Sequence, residues 1–87
     1  MTFGERVATL RRERGWTQQA LAGKIGIDQP FMSKTEADKF DPGMKLVKSI
    51  AEAFGMTVSD LTKGVMSHQH GIHLSKALLE HRANEER

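Results

Sequence analysis

The sequence contains no cysteine and no tyrosine, and only two prolines. Without cysteine there is no disulfide framework and no thiolate metal site, and the absence fits a reducing compartment. The lack of tyrosine and the scarcity of β-branched runs argue against a sheet. No apolar run approaches the ~20 residues that span a bilayer as a helix. The start, Met1-Thr2-Phe3-Gly4-Glu5-Arg6, has no apolar stretch behind its charges, so no signal peptide is expected. These absences predict a soluble, cytoplasmic chain with no membrane partner. Nothing in them calls for a cofactor.

What is present is small and mildly basic. A chain of 87 residues makes one domain at most. A domain of this size buries only ~60% of its unfolded surface, so a compact helical core or a partner chain must supply stability. Hydrophobic residues make up 38% of the chain, enough for such a core but not for a large ligand cavity. A net charge of +2 and a pI near 9.2 suit a polyanion without requiring one.

Helical signals follow one another along the chain. Thr2 and Glu5 have capping-box spacing, and Phe3, Val7 and Leu10 form one face of a first helix. Arg6, Arg12 and Glu13 fall on the other face, and Gly15 stops the helix at about Arg14. Thr17 caps a second helix carrying Leu21, Ala22 and Ile25, which Gly26 ends. Asp28 caps a third, with Gln29 first, Pro30 second, and Met32 and Thr35 inward. Residues 38–43 read as a loop. Met44, Val47, Ile50, Ala51 and Phe54 give the strongest helical stripe, closed by Gly55. Thr57 and Asp60 cap a short fifth helix containing Val58 and Leu61, and Gly64 closes it.

The second and third helices carry the function. Two short helices and a tight turn are a common unit, so the positions of particular residues matter. Ala22 falls where the two helices approach closely. Gly26, four residues on, sits where the turn needs a positive φ. Leu21, Ile25 and Met32 supply the apolar wedge between them.

Gly15-Trp16-Thr17-Gln18-Gln19-Ala20-Leu21-Ala22-Gly23-Lys24-Ile25-Gly26-Ile27 resembles the phage-repressor and Cro-like (XRE-type) helix-turn-helix family. So do Met32-Ser33-Lys34-Thr35-Glu36 and Ile50-Ala51-Glu52-Ala53-Phe54-Gly55-Met56, with Leu61 behind them. The resemblance covers about residues 3–63. It implies an all-α, five-helix lambda-repressor-like domain over residues 1–64, with its helix-turn-helix at about 17–36. It also implies a sequence-specific transcriptional regulator, repression being the expected mode. Such a protein binds a near-palindromic operator on double-stranded DNA as a homodimer, and a recognition helix at about 28–36 enters the major groove. The site of action is then the nucleoid. Carried over by position, Gln18 grips a phosphate, and Gln29, Pro30, Ser33 and Lys34 face the DNA. Arg11 and Glu36 match an internal salt bridge that is structural in role.

The residues themselves agree with that assignment. Positions 29, 30, 33 and 34 share a helical face opposite Met32 and Thr35. Gln29 suits an adenine edge, Lys34 suits guanine O6/N7 or a phosphate, and Pro30 offers only apolar contact. Lys39, Lys45 and Lys48 are further phosphate candidates, although surface lysines are common. Three positions depart from the family. Thr35 stands where an aliphatic residue is usual, which predicts looser packing. Ala37-Asp38 replaces the usual exit, so Asp38 must make the turn and brings its charge toward the expected DNA backbone. Phe31 is large and apolar beside the reading face.

Beyond Gly64 the composition changes. Residues 65–87 read as a linker and a helical tail with Leu74, Ala77 and Leu78 on its narrow apolar stripe, a candidate dimerisation or partner element. Through that tail an alternative function arises: an antitoxin, or an adaptor of the same fold, that binds a protein partner. His68, His70 and His73 form a His-x-His-x-x-His run that would suit a metal, but a polar linker explains it better. No nucleophile-base arrangement, phosphate-cradling glycine loop or His-Glu-x-x-His run is present, so an enzyme is not expected.

Overall fold

A computed structural model describes residues 1–65, and these form five α-helices and no strand. The segment that carries the expected tail helix and His68, His70 and His73 lies outside the described residues. Helix α1 spans Phe3–Glu13, α2 Gln18–Ile25, α3 Gln29–Glu36, α4 Met44–Phe54 and α5 Val58–Leu61.

Side-chain caps start four of the helices. The Thr2 hydroxyl accepts from the Glu5 amide at 3.1 Å, and Glu5 accepts from the Thr2 amide at 3.0 Å, completing the capping box of α1. Thr17 accepts from Ala20 at the start of α2, Asp28 from Phe31 at α3, and Thr57 from Asp60 at α5. Each such bond satisfies an amide that has no partner inside its helix. Gly26 ends α2 at φ 76°, a left-handed conformation that costs other residues about 1 kcal/mol or more.

One core joins all five helices. Val7 of α1, Leu21 of α2, Met32 of α3, Val47 and Ile50 of α4 and Leu61 of α5 are fully buried. Each such side chain contributes about 1.5–3 kcal/mol relative to exposure. Helix α3 anchors through Met32 and Thr35 alone, so its opposite face stays open. Thr35 does not loosen that anchor: its hydroxyl is buried but donates to the Phe31 carbonyl at 2.9 Å, so no polar group is left unsatisfied.

Two arginines have roles that helical periodicity does not convey. Arg6, expected on the solvent face of α1, reaches α5 and donates from Nε to the Leu61 carbonyl and from Nη2 to the Asp60 carbonyl, both at 3.0 Å. Those carbonyls lie at the negative end of α5, where a cation is favoured, and the long arginine stem spans the gap. Arg14 bonds the Leu10 and Phe54 carbonyls, with its guanidinium 4.8 Å from the Phe54 ring centroid. Trp16 stacks on that ring at 5.7 Å and 8°, and Lys24 stands 4.5 Å from the Trp16 centroid. The one tryptophan is therefore a half-buried wall of the core, clamped between cations.

Candidate nucleic-acid interface

Helices α2 and α3 are joined by Gly26-Ile27-Asp28 and packed through Leu21, Ala22 and Met32. With Met32 and Thr35 turned into the core, the helical period turns positions 29, 30, 33 and 34 outward. Gln29, Pro30 and Lys34 are exposed, and Ser33 is half-buried. Gln18, on the first turn of α2, is half-buried beside them. Lys39 is exposed just beyond α3, and Lys45 and Lys48 are exposed on α4.

A continuous chain of hydrogen bonds runs from inside the domain to this surface. Arg11 grips Glu36 with Nε to Oε2 at 2.7 Å and Nη2 to Oε1 at 3.0 Å. Its Nη1 donates to the Trp16 carbonyl at 2.7 Å. The two side chains are only 10% and 6% exposed, so this is a buried, bidentate pair. Hydrogen bonding to Glu36 raises the Arg11 pKa above its ordinary value, against the opposing pull of burial. An arginine so held stays charged.

Glu36 then receives Gln18 Nε2 at 3.0 Å, and Gln18 Oε1 receives Gln29 Nε2 at 2.9 Å. The order matters chemically. An ionised carboxylate can only accept, so Gln18 must present its NH₂ to Glu36. Its carbonyl is thereby turned to Gln29, which must present NH₂ in return. Gln29 retains its carbonyl and one N–H for a ligand, in a defined orientation. Gln18 retains one N–H.

Asp38 takes a different position from the one expected. It does make the turn after α3, at φ 57°, a conformation aspartate tolerates better than most residues. Its carboxylate, however, points away from the reading face and onto α1. Oδ1 accepts from the Gly4 amide at 2.9 Å, and Oδ2 accepts from the Thr2 hydroxyl. The positive end of α1 holds this charge.

A family profile described as a helix-turn-helix domain matches residues 4–66. The chain belongs to the XRE-type helix-turn-helix family. It is a family of DNA-binding transcription regulators and not of enzymes. The chain is 37% identical over 65 residues to the HTH-type transcriptional regulator DdrOP3 of Deinococcus deserti, covering 75% of this chain and 50% of the relative. It is 34% identical over 59 residues to the immunity repressor protein of Bacillus phage phi105, covering 68% of this chain and 41% of that one. The chain thus spans half or less of the length of these relatives. Among solved structures, a hypothetical transcription factor NHTF from Neisseria has the same fold, with a TM-score of 0.65 at 22% identity, covering 83% of this chain and 79% of its own.

Proposed function

We propose that this chain is a sequence-specific DNA-binding regulator, a repressor that binds a near-palindromic operator as a homodimer and acts at the nucleoid. The Glu36–Gln18–Gln29 chain carries the reading: it holds one carbonyl and one N–H of Gln29 toward solvent on an otherwise open α3 face. Adenine in the major groove presents a donor at N6 and an acceptor at N7, the complement of that pair. Lys34, one turn on, reaches guanine O6/N7. Pro30 and Ser33 complete the reading surface. The remaining N–H of Gln18 and the ammonium of Lys39 take phosphates.

A major-groove helix eight residues long reads only a few base pairs, so a second copy is needed for a site long enough to be specific. In this binding mode half-sites lie about one helical turn, ~34 Å, apart. The region after residue 64 is the natural place for the dimer contact. Selection of bound sequences from a random DNA pool tests the reading. It should return an inverted repeat with adenine in each half-site, and affinity should fall steeply with salt. Failure to enrich any sequence overturns it.

A further inference from the structure

We propose that Phe31, buttressed by Phe40, is a further specificity-determining residue of this interface and that it reads the C5-methyl group of thymine. The inference rests on the operator-binding function above. Phe31 and Met1 are the large hydrophobic residues that remain exposed among the described residues, Phe31 at 39%. Phe31 is thus not among the buried core residues, and it occupies the third position of α3, next to Pro30.

The backbone at Phe31 is fixed by hydrogen bonds and its ring is buttressed by Phe40. Its own amide donates to Asp28 and its carbonyl accepts from Thr35, which fixes the backbone. Phe40, from the loop after α3, packs against the ring at 5.1 Å between centroids and 37° between planes. Behind the pair lies a shallow apolar hollow with Ile25, Ile27 and Leu46 in its wall. Helical side chains lean toward the N-terminus of their helix, and in this motif the N-terminal residues of the recognition helix are the ones that contact base edges. Phe31, the third residue of α3, lies within that N-terminal stretch.

A phenyl ring has no donor or acceptor for base edges. The apolar group that major-groove edges present is the thymine methyl. Charge argues for DNA over an apolar protein as the occupant: Lys45 lines the same hollow and Lys34 is exposed on the same helix. Such cations favour a polyanion and disfavour a purely apolar mate. Pro30 beside Phe31 widens the apolar strip. A thymine next to the adenine read by Gln29 is the expected target.

The test uses the full chain and the sequence enriched from the random pool. Each thymine of a half-site is replaced in turn by deoxyuridine, which deletes only the methyl. At one position the wild type should bind about fourfold more weakly, the value of burying one methyl-sized group. Phe31→Ala should bind the thymine and uracil duplexes equally, Phe31→Leu should keep part of the difference, and Phe40→Ala should reduce it by freeing the ring. Circular dichroism confirms that the variants remain folded. A wild type indifferent to uracil at every position overturns the proposal, and so does a Phe31→Ala variant that keeps the full ratio. Should Phe31→Ala leave the ratio intact but abolish dimer sedimentation, the face is an interface between copies and the proposal falls. Enrichment of an operator without methyl discrimination overturns this inference alone. Failure of enrichment overturns it together with the operator reading.

Discussion

Gly4 of α1 lies directly against the backbone at the end of α3: a Cβ on Gly4 would stand 2.3 Å from the Glu36 carbonyl oxygen and 2.8 Å from that of Thr35. Both obstacles are main-chain atoms, so neither can rotate aside. The same glycine donates its amide to Asp38. Helix α1 thus meets the C-terminal end of α3 closely at Gly4, as it does through Arg11 and Glu36 further along. Any side chain at position 4 must push α3 away from its support.

Gly4→Ala therefore sets two effects against each other. Alanine favours a helix over glycine by about 1 kcal/mol. Forcing atoms into a packed contact costs about 1–3 kcal/mol. Because the clash is with backbone at well under contact distance, the second effect should win. Urea unfolding should show a lower midpoint for Gly4→Ala, and a raised midpoint would refute the close contact.

Asp38→Asn tests where that carboxylate points. The amide tolerates the same left-handed turn but removes the negative charge at the positive end of α1. A loss of about 0.5–1.5 kcal/mol of stability is expected. If the charge faced DNA instead, its removal would strengthen binding. The expected result is unchanged DNA affinity once the folded fraction is equal, measured by titration at several salt concentrations.

The ion pair of Arg11 and Glu36 is buried enough for its loss to be costly. Removing either partner leaves the other charge desolvated and alone, and Arg11→Ala should lose about 3–5 kcal/mol. Replacing both by apolar residues of similar volume should cost much less than the sum of the single changes, because no orphan charge remains. A double-mutant cycle by chemical denaturation measures the difference, and strict additivity would refute the coupling.

The differences between sequence and structure have physical causes. Caps, stop signals and apolar stripes are local, and Thr2, Thr17, Asp28 and Thr57 announce their helices within a few residues. Contacts between distant segments carry no such local mark. Arg6 was assigned to solvent by periodicity, yet its stem is long enough to reach the end of α5. Asp38 showed its need for a turn but not that α1 would claim its carboxylate, a contact between positions 34 and 36 residues apart. Gly4 offered one unused signal: a glycine within the first turn of a well-capped helix is unfavourable by propensity and so implies a close approach. That positions 29, 30, 33 and 34 share an outward face of α3 was legible. The polarity of Gln29 was not, because it is set by Glu36 through Gln18.

Lys34 and Lys39 are both exposed lysines but should respond differently to truncation. Lys34→Ala should lose about 1–3 kcal/mol at the preferred operator and little on unrelated DNA, the signature of a base contact. Lys39→Ala should weaken both similarly and lower the salt-dependence slope by about 0.9, the signature of one phosphate contact. Titrations on operator and scrambled duplexes over a salt series separate the two. Equal losses on both DNAs for Lys34→Ala would reassign it to the backbone.

Gln18→Ala isolates the relay from the ion pair that drives it. The substitution leaves Arg11 and Glu36 joined but removes two hydrogen bonds, so stability should fall by about 1–3 kcal/mol. Gln29, however, loses the acceptor that holds its NH₂ inward. Its amide is then free to rotate and can meet either adenine or guanine with some pairing. A fixed bidentate contact is worth about 1–3 kcal/mol of base discrimination, and part of that should disappear. Overall affinity will also drop if Gln18 grips a phosphate, so affinity alone does not decide the matter. The decisive quantity is the ratio of binding to duplexes carrying adenine or guanine at the base read by Gln29. That ratio should shrink about fivefold in Gln18→Ala, equivalent to about 1 kcal/mol. It should remain unchanged in Lys39→Ala, for which only a phosphate contact is proposed. A Gln18→Ala variant with weakened binding but the wild-type ratio would mean that α3 alone orients Gln29.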